Sequence, residues 1–202
     1  MKNETRTATS TKQIHLTRRS PQYWRVVRRI LEGAHDKKQE EAMNTNKVRS
    51  NDATKDASGK VDMKLEVDII PVSDVDRSKR FYERLGWRFD DDVSPLDGLR
   101  IVQFTPPGSG CSVTFGKGIT AAAPGSAEGA LVVCDIEAAH NELVGRGIDA
   151  TDVWHGPPFP PEARQPGPDP ERTSYASFFS FNDPDGNTWL VQEVTTRLPG
   201  RI

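Results

Sequence analysis

The sequence predicts an α+β fold in which two tandem βαβββ modules form an open, cup-like mixed sheet, preceded by a disordered N-terminal tail. The first reason is an internal repeat: residues 72–76 (VSDVD) are matched 61 residues later by 133–137 (VCDIE). The second is that each copy follows a short apolar run and begins a helical pattern that ends at a glycine. The third is an Asp-Pro-Asp-Gly-Asn turn at 183–187, directly before the last apolar run. Repeats of this kind are usually structural units that pack together.

The first module is assigned to residues 64–116. Alternating acids among Val and Ile at 65–72 predict a strand. Asp74, or Ser73 together with Asp76 as a capping box, is expected to begin the helix. The apolar residues that follow recur at helical spacing, and Gly86 suits the left-handed position that ends a helix. Three more strands are predicted at 87–91, 99–105 and 111–115, with a loop at 92–98.

The second module is assigned to residues 127–195. Asp135 is expected to cap its helix and Gly145 or Gly147 to end it, and its strands are predicted at 129–133, 148–154, 175–181 and 188–194. Residues 156–173 contain seven prolines and are too long for an ordinary connection. They are either a semi-rigid lid, whose Arg164 and Arg172 contact an anionic ligand, or an exposed loop with solvated charges.

Residues 1–62 form the predicted tail, which is basic and polar. Residues 1–60 contain 14 of the 27 Lys and Arg but only 7 of the 29 Asp and Glu, so they carry +7 and the remainder carries −9. The tail has few large apolar side chains, so it cannot bury enough surface to offset the entropy of ordering. A basic amphipathic helix around Tyr23 and Val27 would suit a membrane surface or an acidic partner. The alternative is a nascent helix in solvent.

Composition also narrows the partners and the compartment. An acidic globular part argues against nucleic-acid binding, which favours a basic face. No run approaches the roughly 18 apolar residues of a membrane span. The two cysteines, Cys111 and Cys134, fall in strand-like runs and are expected to be buried and reduced, which indicates the cytoplasm.

The opening motif, with Val72-Ser73-Asp74, Phe81-Tyr82 and Leu85-Gly86, resembles that of the vicinal oxygen chelate superfamily. The turn at 183–187 resembles the closing motif of the same superfamily, which includes glyoxalase I, extradiol dioxygenases and bleomycin resistance proteins. The segment 192–201 is similar to the end of a little-characterised glyoxalase-like subgroup. The resemblance covers about residues 64–195, within a domain assigned to 63–197. It implies paired βαβββ modules, a divalent metal held by four strand positions, and a homodimer formed through sheet edges.

The resemblance places the four metal positions at Val67, Thr114, Glu128 and Leu190. Valine and leucine have no donor atoms and threonine is a poor ligand, so only Glu128 suits a metal. A catalytic metal needs about three protein ligands and an open position. The sequence therefore predicts that the superfamily's metal is absent, and that no other cofactor is needed.

The resulting hypothesis is a cytoplasmic homodimer that binds a small organic molecule in the cup between its modules, without metal. The candidate lining residues are Val67, Thr114, Glu128, Trp154, His155, Leu190 and Gln192. The alternative is a glyoxalase I-like lyase or a dioxygenase-type enzyme that uses either a divalent metal or Glu128 and His155 as an acid-base pair. A third hypothesis is an interaction protein whose basic tail binds an acidic surface.

Overall fold

The computed structural model describes residues 63–157 and 161–198. The predicted tail at 1–62 lies outside the described residues. Within the described part, two sheets of four and five strands and two α-helices confirm the α+β fold and the two tandem modules. The described residues contain no helix long and apolar enough to cross a membrane.

The first module has the order predicted for a βαβββ unit. Its elements are β1 (Val67–Ile69), α1 (Val75–Arg84), β2 (Arg88–Leu96), β3 (Leu99–Thr105) and β4 (Ser112–Lys117). The sheet order is β1-β4-β3-β2, with β1 parallel to β4 and the other pairs antiparallel. Asp74 caps α1 by accepting a hydrogen bond from the backbone N–H of Arg77 at 3.0 Å. Gly86 follows the helix at φ +79°, as its sequence position predicts.

The second module repeats this order with one extra strand. It contains β5 (Glu128–Val133), α2 (Ile136–Gly145), β6 (Trp154–His155), β7 (Gln165–Pro166), β8 (Ser177–Asn182) and β9 (Thr188–Glu193). The sheet order is β5-β9-β8-β6-β7, and β5 is parallel to β9. Asp135 caps α2 as predicted, and of the two glycines proposed to end this helix Gly147 has the left-handed φ of +74°.

Several local predictions were wrong. Residues 92–96 continue β2, because Lys79 and Arg100 neutralise the carboxylate of Asp92 at 2.9 and 2.8 Å. The predicted strand at 148–154 is reduced to Trp154–His155 and one isolated bridge from Ala150. Part of the predicted lid pairs as β7 with β6 and so extends the sheet. Both cysteines carry free thiols, but neither is buried as predicted: Cys111 is half-buried and Cys134 is exposed.

Both sheets contribute to one hydrophobic core. The core-facing side of each sheet carries its helix, and the sheet residues that meet in the core are Val102, Phe104, Val113, Phe115, Phe179, Phe181, Trp189 and Val191. Rings from the two modules touch directly: Trp87 packs edge-to-face on Trp189 with centroids 5.2 Å apart. Side chains alternate along a strand, so each sheet presents its other face away from this core.

The turn at 183–187 joins the two modules, and we call it the junction turn. The amide of Asn187 donates to the carbonyl of Pro71 at 2.9 Å and to the carboxylate of Asp183 at 2.7 Å. Ser73 donates to Asp185 rather than capping α1. Burial by itself would raise the pKa of Asp185. The hydrogen bonds from Ser73 and Arg77 outweigh this effect and keep that pKa below its usual value. The closing motif therefore holds the start of α1 against the second sheet.

Candidate functional site

Four predicted lining residues lie together on the second sheet, on the face turned away from the core. We call this the open face of sheet 2. In the β5–β9 pair, Glu128 is level with Thr188 and Ala130 with Leu190, and Gln192 is level with Phe178 of β8. Trp154 pairs with Phe178 and so lies on the same side.

The open face of sheet 2 has an aromatic base. The rings of Trp154 and Phe178 stack with centroids 4.5 Å apart, and the two side chains are 6% and 1% exposed. The guanidinium of Arg164 lies over the Trp154 ring at 4.1 Å, a cation–π geometry. Gln192 is held by a hydrogen bond from its amide to the carbonyl of Tyr175 at 3.0 Å. The face thus combines stacked rings, Leu190 and one oriented amide.

The other two predicted lining residues lie on the corresponding open face of sheet 1. Val67 is level with Ser112, and Ile69 with Thr114. The hydroxyl of Thr114 donates to the side-chain oxygen of Gln103 on β3 at 3.3 Å, so the two polar groups orient each other. Gln103 was not predicted from the sequence. Its position on the same face as Thr114, one strand away, nevertheless follows from the alternation of side chains along β3.

The placement predicted for His155 was wrong. It follows Trp154 on β6 and pairs with Ser177, so its side chain projects to the core-facing side, where Nδ1 lies 2.9 Å from the carbonyl oxygen of Gly167. Glu128 is on the opposite face, three strands away and near the other end of the sheet. Strand spacing and rise put the two residues about 20 Å apart. Glu128 and His155 therefore cannot act as an acid-base pair on one substrate within one chain.

The predicted cup between the modules does not form within one chain from these two faces. Val67 and Thr114 lie on one open face and the sheet 2 residues on the other, while the shared core occupies the space between the opposite sides of the sheets. The two open faces consequently point away from each other. The sequence predicted which residues share a face, but not which faces meet.

The residues at the superfamily's metal positions do not fit a metal ion. Val67 and Leu190 offer only hydrocarbon, and the hydroxyl of Thr114 is already engaged with Gln103. No group of three or more His, Cys, Asp or Glu side chains suited to a metal occurs within 63–157 and 161–198. Glu128 alone cannot make a catalytic site of three ligands.

Arg172, for which the sequence left open an anion contact on a lid or a solvated charge on an exposed loop, is instead part of the scaffold. Its guanidinium binds the carboxylate of Glu193 at 2.5 and 3.0 Å and that of Glu137 at 2.8 Å. Glu193 is fully buried and also accepts the backbone N–H of Ile136 at the start of α2. The hydrogen bonds from Arg172 hold the pKa of Glu193 below its usual value. This network fixes the end of the 156–173 segment to the second helix.

Comparison with known proteins agrees with this architecture. The family model for the Glyoxalase/Bleomycin resistance protein/Dioxygenase superfamily matches residues 64–191. No curated protein matches the sequence.

Solved structures with similar folds include TnmS3, an antibiotic binding protein from Streptomyces sp. CB03234, with 26% identity over 65% of this chain and 96% of that one and a TM-score of 0.49. A glyoxalase/bleomycin resistance protein from the same organism has 26% identity over 64% and 100% of the two chains and a TM-score of 0.47. A superfamily member from Sphaerobacter thermophilus DSM 20745 has 24% identity over 65% and 97%, with a TM-score of 0.48.

Proposed function

The chain belongs to the Glyoxalase/Bleomycin resistance protein/Dioxygenase superfamily, and from this premise we propose that it binds a small organic molecule without the superfamily's metal. The observation that carries the proposal is the character of the two open faces. They keep the positions of the superfamily site but have Val67 and Leu190 where donor atoms would be needed. Apolar walls with a few oriented polar groups are typical of sites that bind a ligand rather than a metal.

The chemistry of the faces suggests a ligand with an apolar part. Trp154 and Phe178 stack beneath the guanidinium of Arg164 and are almost fully covered, so they form a rigid floor, and the half-buried Leu190 beside them offers apolar surface to a ligand. Gln192 and Thr114 supply hydrogen-bonding groups, and Glu128 supplies a carboxylate at the exposed start of β5. The ligand is expected to be amphipathic, with polar groups at its rim.

A closed cup requires two copies of the chain. Strands β1 and β5 are edge strands, and exposed apolar side chains lie along them: Ile69 is 43% and Val132 is 45% exposed. Unpaired edges of this kind readily pair with another chain. We propose that β1 of one copy lies beside β5 of the second copy, and the reverse, in a twofold homodimer. The open face of sheet 1 of one copy then meets that of sheet 2 of its partner.

Ligand binding can be tested by a thermal-shift screen of small aromatic and amphipathic molecules, since a ligand specific to the folded state raises its apparent stability. Leu190→Gln should abolish the shift caused by any hit, because it places a polar group at the centre of the open face. Leu96→Gln, at an exposed leucine of the β2–β3 hairpin, is the matched control. Hits that bind the Leu190→Gln protein as tightly as the wild type would contradict this site.

The dimer can be tested by sedimentation of the full chain. Ile69→Asp should give monomers and abolish the ligand response, because a charge replaces an apolar contact at the β1 edge. Val144→Asp should leave both unchanged, since Val144 is equally exposed but lies on α2. A wild-type protein that is monomeric at tens of micromolar, or a ligand response that survives in monomers, would refute assembly of the cup from two copies.

The enzyme alternative is distinguished by metal content. Protein purified without chelators should hold far less than one equivalent of Ni, Zn, Mn or Fe, and adding these ions should not change its melting temperature. A stoichiometric ion that is lost in Glu128→Gln would instead support a metal-dependent lyase or dioxygenase.

A cytoplasmic location also remains a proposal. It is supported by the free thiols of Cys111 and Cys134, which suit a reducing compartment. Fractionation of cells that express the full chain would test it.

A further inference from the structure

The two helices occupy equivalent places, yet they fill them differently. The buried α1 side chains that face the other module are Ser78, Phe81 and Tyr82. The 61-residue offset of the repeat puts Ala139, Glu142 and Leu143 at the same positions of α2. A phenylalanine and a tyrosine are thus replaced by a glutamate and a leucine. The second helix therefore fills less of the space between the modules.

The turns opposite the two helices differ in the same way. The junction turn faces α1 and fills its side with Asp183, Asp185 and Asn187, all bonded to the first module. The equivalent β3–β4 turn at 106–110 reads Pro-Pro-Gly-Ser-Gly, which has no carboxylate or amide side chain to reach α2. A cleft of about 550 Å³ lies between this turn, the end of α1, β5 and α2.

The cleft is lined by polar and apolar atoms in similar proportion and has one available charge at its rim. Its lining includes the rings of Trp87, Phe179 and Phe181. Of the two charged residues that line it, Glu142 is neutralised by Arg146 at 2.9 Å. Arg197 is exposed and forms no ion pair with any residue in the described part of the chain. The net charge offered to a ligand is therefore positive.

We propose that this cleft is a second binding site, for a small organic anion with a flat aromatic body such as an aromatic carboxylate or sulfonate. The volume is within the usual range for small-molecule pockets, and its walls are built largely from helices and strands. The partly exposed Leu131, Leu143 and Pro107 can contact the faces of a flat body above the nearly covered rings, while Arg197 at the rim suits its acidic group. The aromatic floor of the site lies on the core-facing side, because Phe179 and Phe181 project from the opposite side of sheet 2 to Leu190, while residues 130–133 of the edge strand β5 also line the cleft.

The first test uses a pair of fluorescent dyes with one skeleton. The anionic dye 8-anilinonaphthalene-1-sulfonate should bind the full-length protein with one site per chain, and the neutral N-phenyl-1-naphthylamine should bind the same site. Arg197→Gln should weaken the anionic dye about threefold to fivefold, as expected for a partly exposed charge contact, and leave the neutral dye unchanged. Equal effects on both dyes, or on neither, would overturn the role of Arg197.

The second test fills the cleft. Ala139→Leu adds three carbons where α2 lines the cleft and should weaken both dyes about tenfold or more, because the added atoms occupy ligand volume. Ala138→Leu makes the same change at an exposed position of the same helix and should have no effect. Cooperative melting of both variants within a few degrees of the wild type excludes dye binding to partly unfolded protein.

Two further outcomes would reject the cleft. If Leu190→Gln removes dye binding while Ala139→Leu does not, the dye occupies the open face and the cleft is empty. If Ala139→Leu instead changes the sedimentation of the protein, the cleft is covered by a second copy of the chain. Because Ala139 lines the cleft and Leu190 does not, the two variants separate failure of this proposal from failure of the proposed function.

Discussion

The hydrogen bonds of Tyr82 predict how strongly the packing of the two modules depends on one buried hydroxyl group. Tyr82 on α1 is fully buried, its hydroxyl donates to Asp183 at 3.2 Å, and it accepts the indole N–H of Trp189 at 3.2 Å. Burial, together with the nearby carboxylate of Asp183, raises the pKa of Tyr82 well above its usual value, so the hydroxyl stays protonated. The substitution Tyr82→Phe keeps the ring and removes only this link between the modules.

The expected cost follows from the groups left behind. The indole N–H of Trp189 loses its partner in a buried site, which costs about 1–3 kcal/mol. The carboxylate of Asp183 loses one of its donors but keeps the backbone N–H groups of Asp185 and Asn187, both at 2.9 Å. Together these changes should lower the free energy of unfolding by about 2–4 kcal/mol. For a domain of this size that corresponds to a fall of roughly 10 °C in melting temperature.

Urea unfolding followed by tryptophan fluorescence measures this directly. Tyr175→Phe is the matched control, because its hydroxyl accepts an exposed hydrogen bond from the backbone N–H of Leu198 at 3.2 Å. That variant should lose no more than about 0.5 kcal/mol, as is usual for surface changes. If Tyr82→Phe is as stable as Tyr175→Phe, the buried hydroxyl does not hold the modules together and the reasoning fails.

Three other predictions concern single sites. Hydrogen bonds from Arg100 lower the pKa of Asp92 to about 2, below its unfolded value of about 3.9. The ionised carboxylate therefore stabilises the folded protein by roughly 1–2 kcal/mol. This contribution is present above pH 4 and is lost as the pH falls through 2. The stability gap between wild type and Asp92→Asn should shrink accordingly in urea titrations at decreasing pH. Gly116→Ala should destabilise the folded protein by more than about 2 kcal/mol, because the added Cβ would lie 1.9 Å from the carbonyl oxygen of Arg100. Gly145→Ala, which adds a methyl group in open space on α2, should instead stabilise it by about 0.5–1 kcal/mol. Thermal melts measure both effects. Glu193→Gln should cost about 2–3 kcal/mol in the same assay, because a neutral amide replaces the buried carboxylate that binds Arg172.

The local structure was predicted where it depends on neighbouring residues. Apolar spacing, the Asp74 and Asp135 caps and the glycines after each helix were enough to place both helices. The errors occurred where distant side chains decide the outcome. Asp92 lies within β2, where Lys79 and Arg100 neutralise its carboxylate, and the local sequence pattern does not reveal that pairing.

The candidate site was predicted only in part for a similar reason. Alternation along strands correctly grouped Glu128, Leu190 and Gln192 on one face, since parity is a local property. It could not tell which face of one sheet packs against which face of the other. It also misplaced His155, because β6 is only two residues long and the strand expected before it does not form.

The cleft left a signal in the sequence that only a comparison of the two repeats reveals. Each helix alone has an acceptable apolar face. Aligned at the 61-residue offset, Tyr82 opposite a turn rich in carboxylates becomes Leu143 opposite a turn rich in glycine. Both partners of a buried polar contact are missing together in the second half, so no unsatisfied group remains where the contact would have been.

This paired difference explains why the module junction need not be uniformly tight. The half built around Tyr82 carries buried hydrogen bonds whose partners are all satisfied, and it fixes how the modules pack. The other half can then remain partly empty, because the shared aromatic core already joins the two sheets. In a domain built from two repeats, one copy of an interface can thus stabilise the fold while the other copy stays open to a ligand. The same reasoning applies to the open faces and to the cleft. A residue position whose side chain makes no polar contact keeps its place in the fold, and only the kind of ligand that can bind there changes.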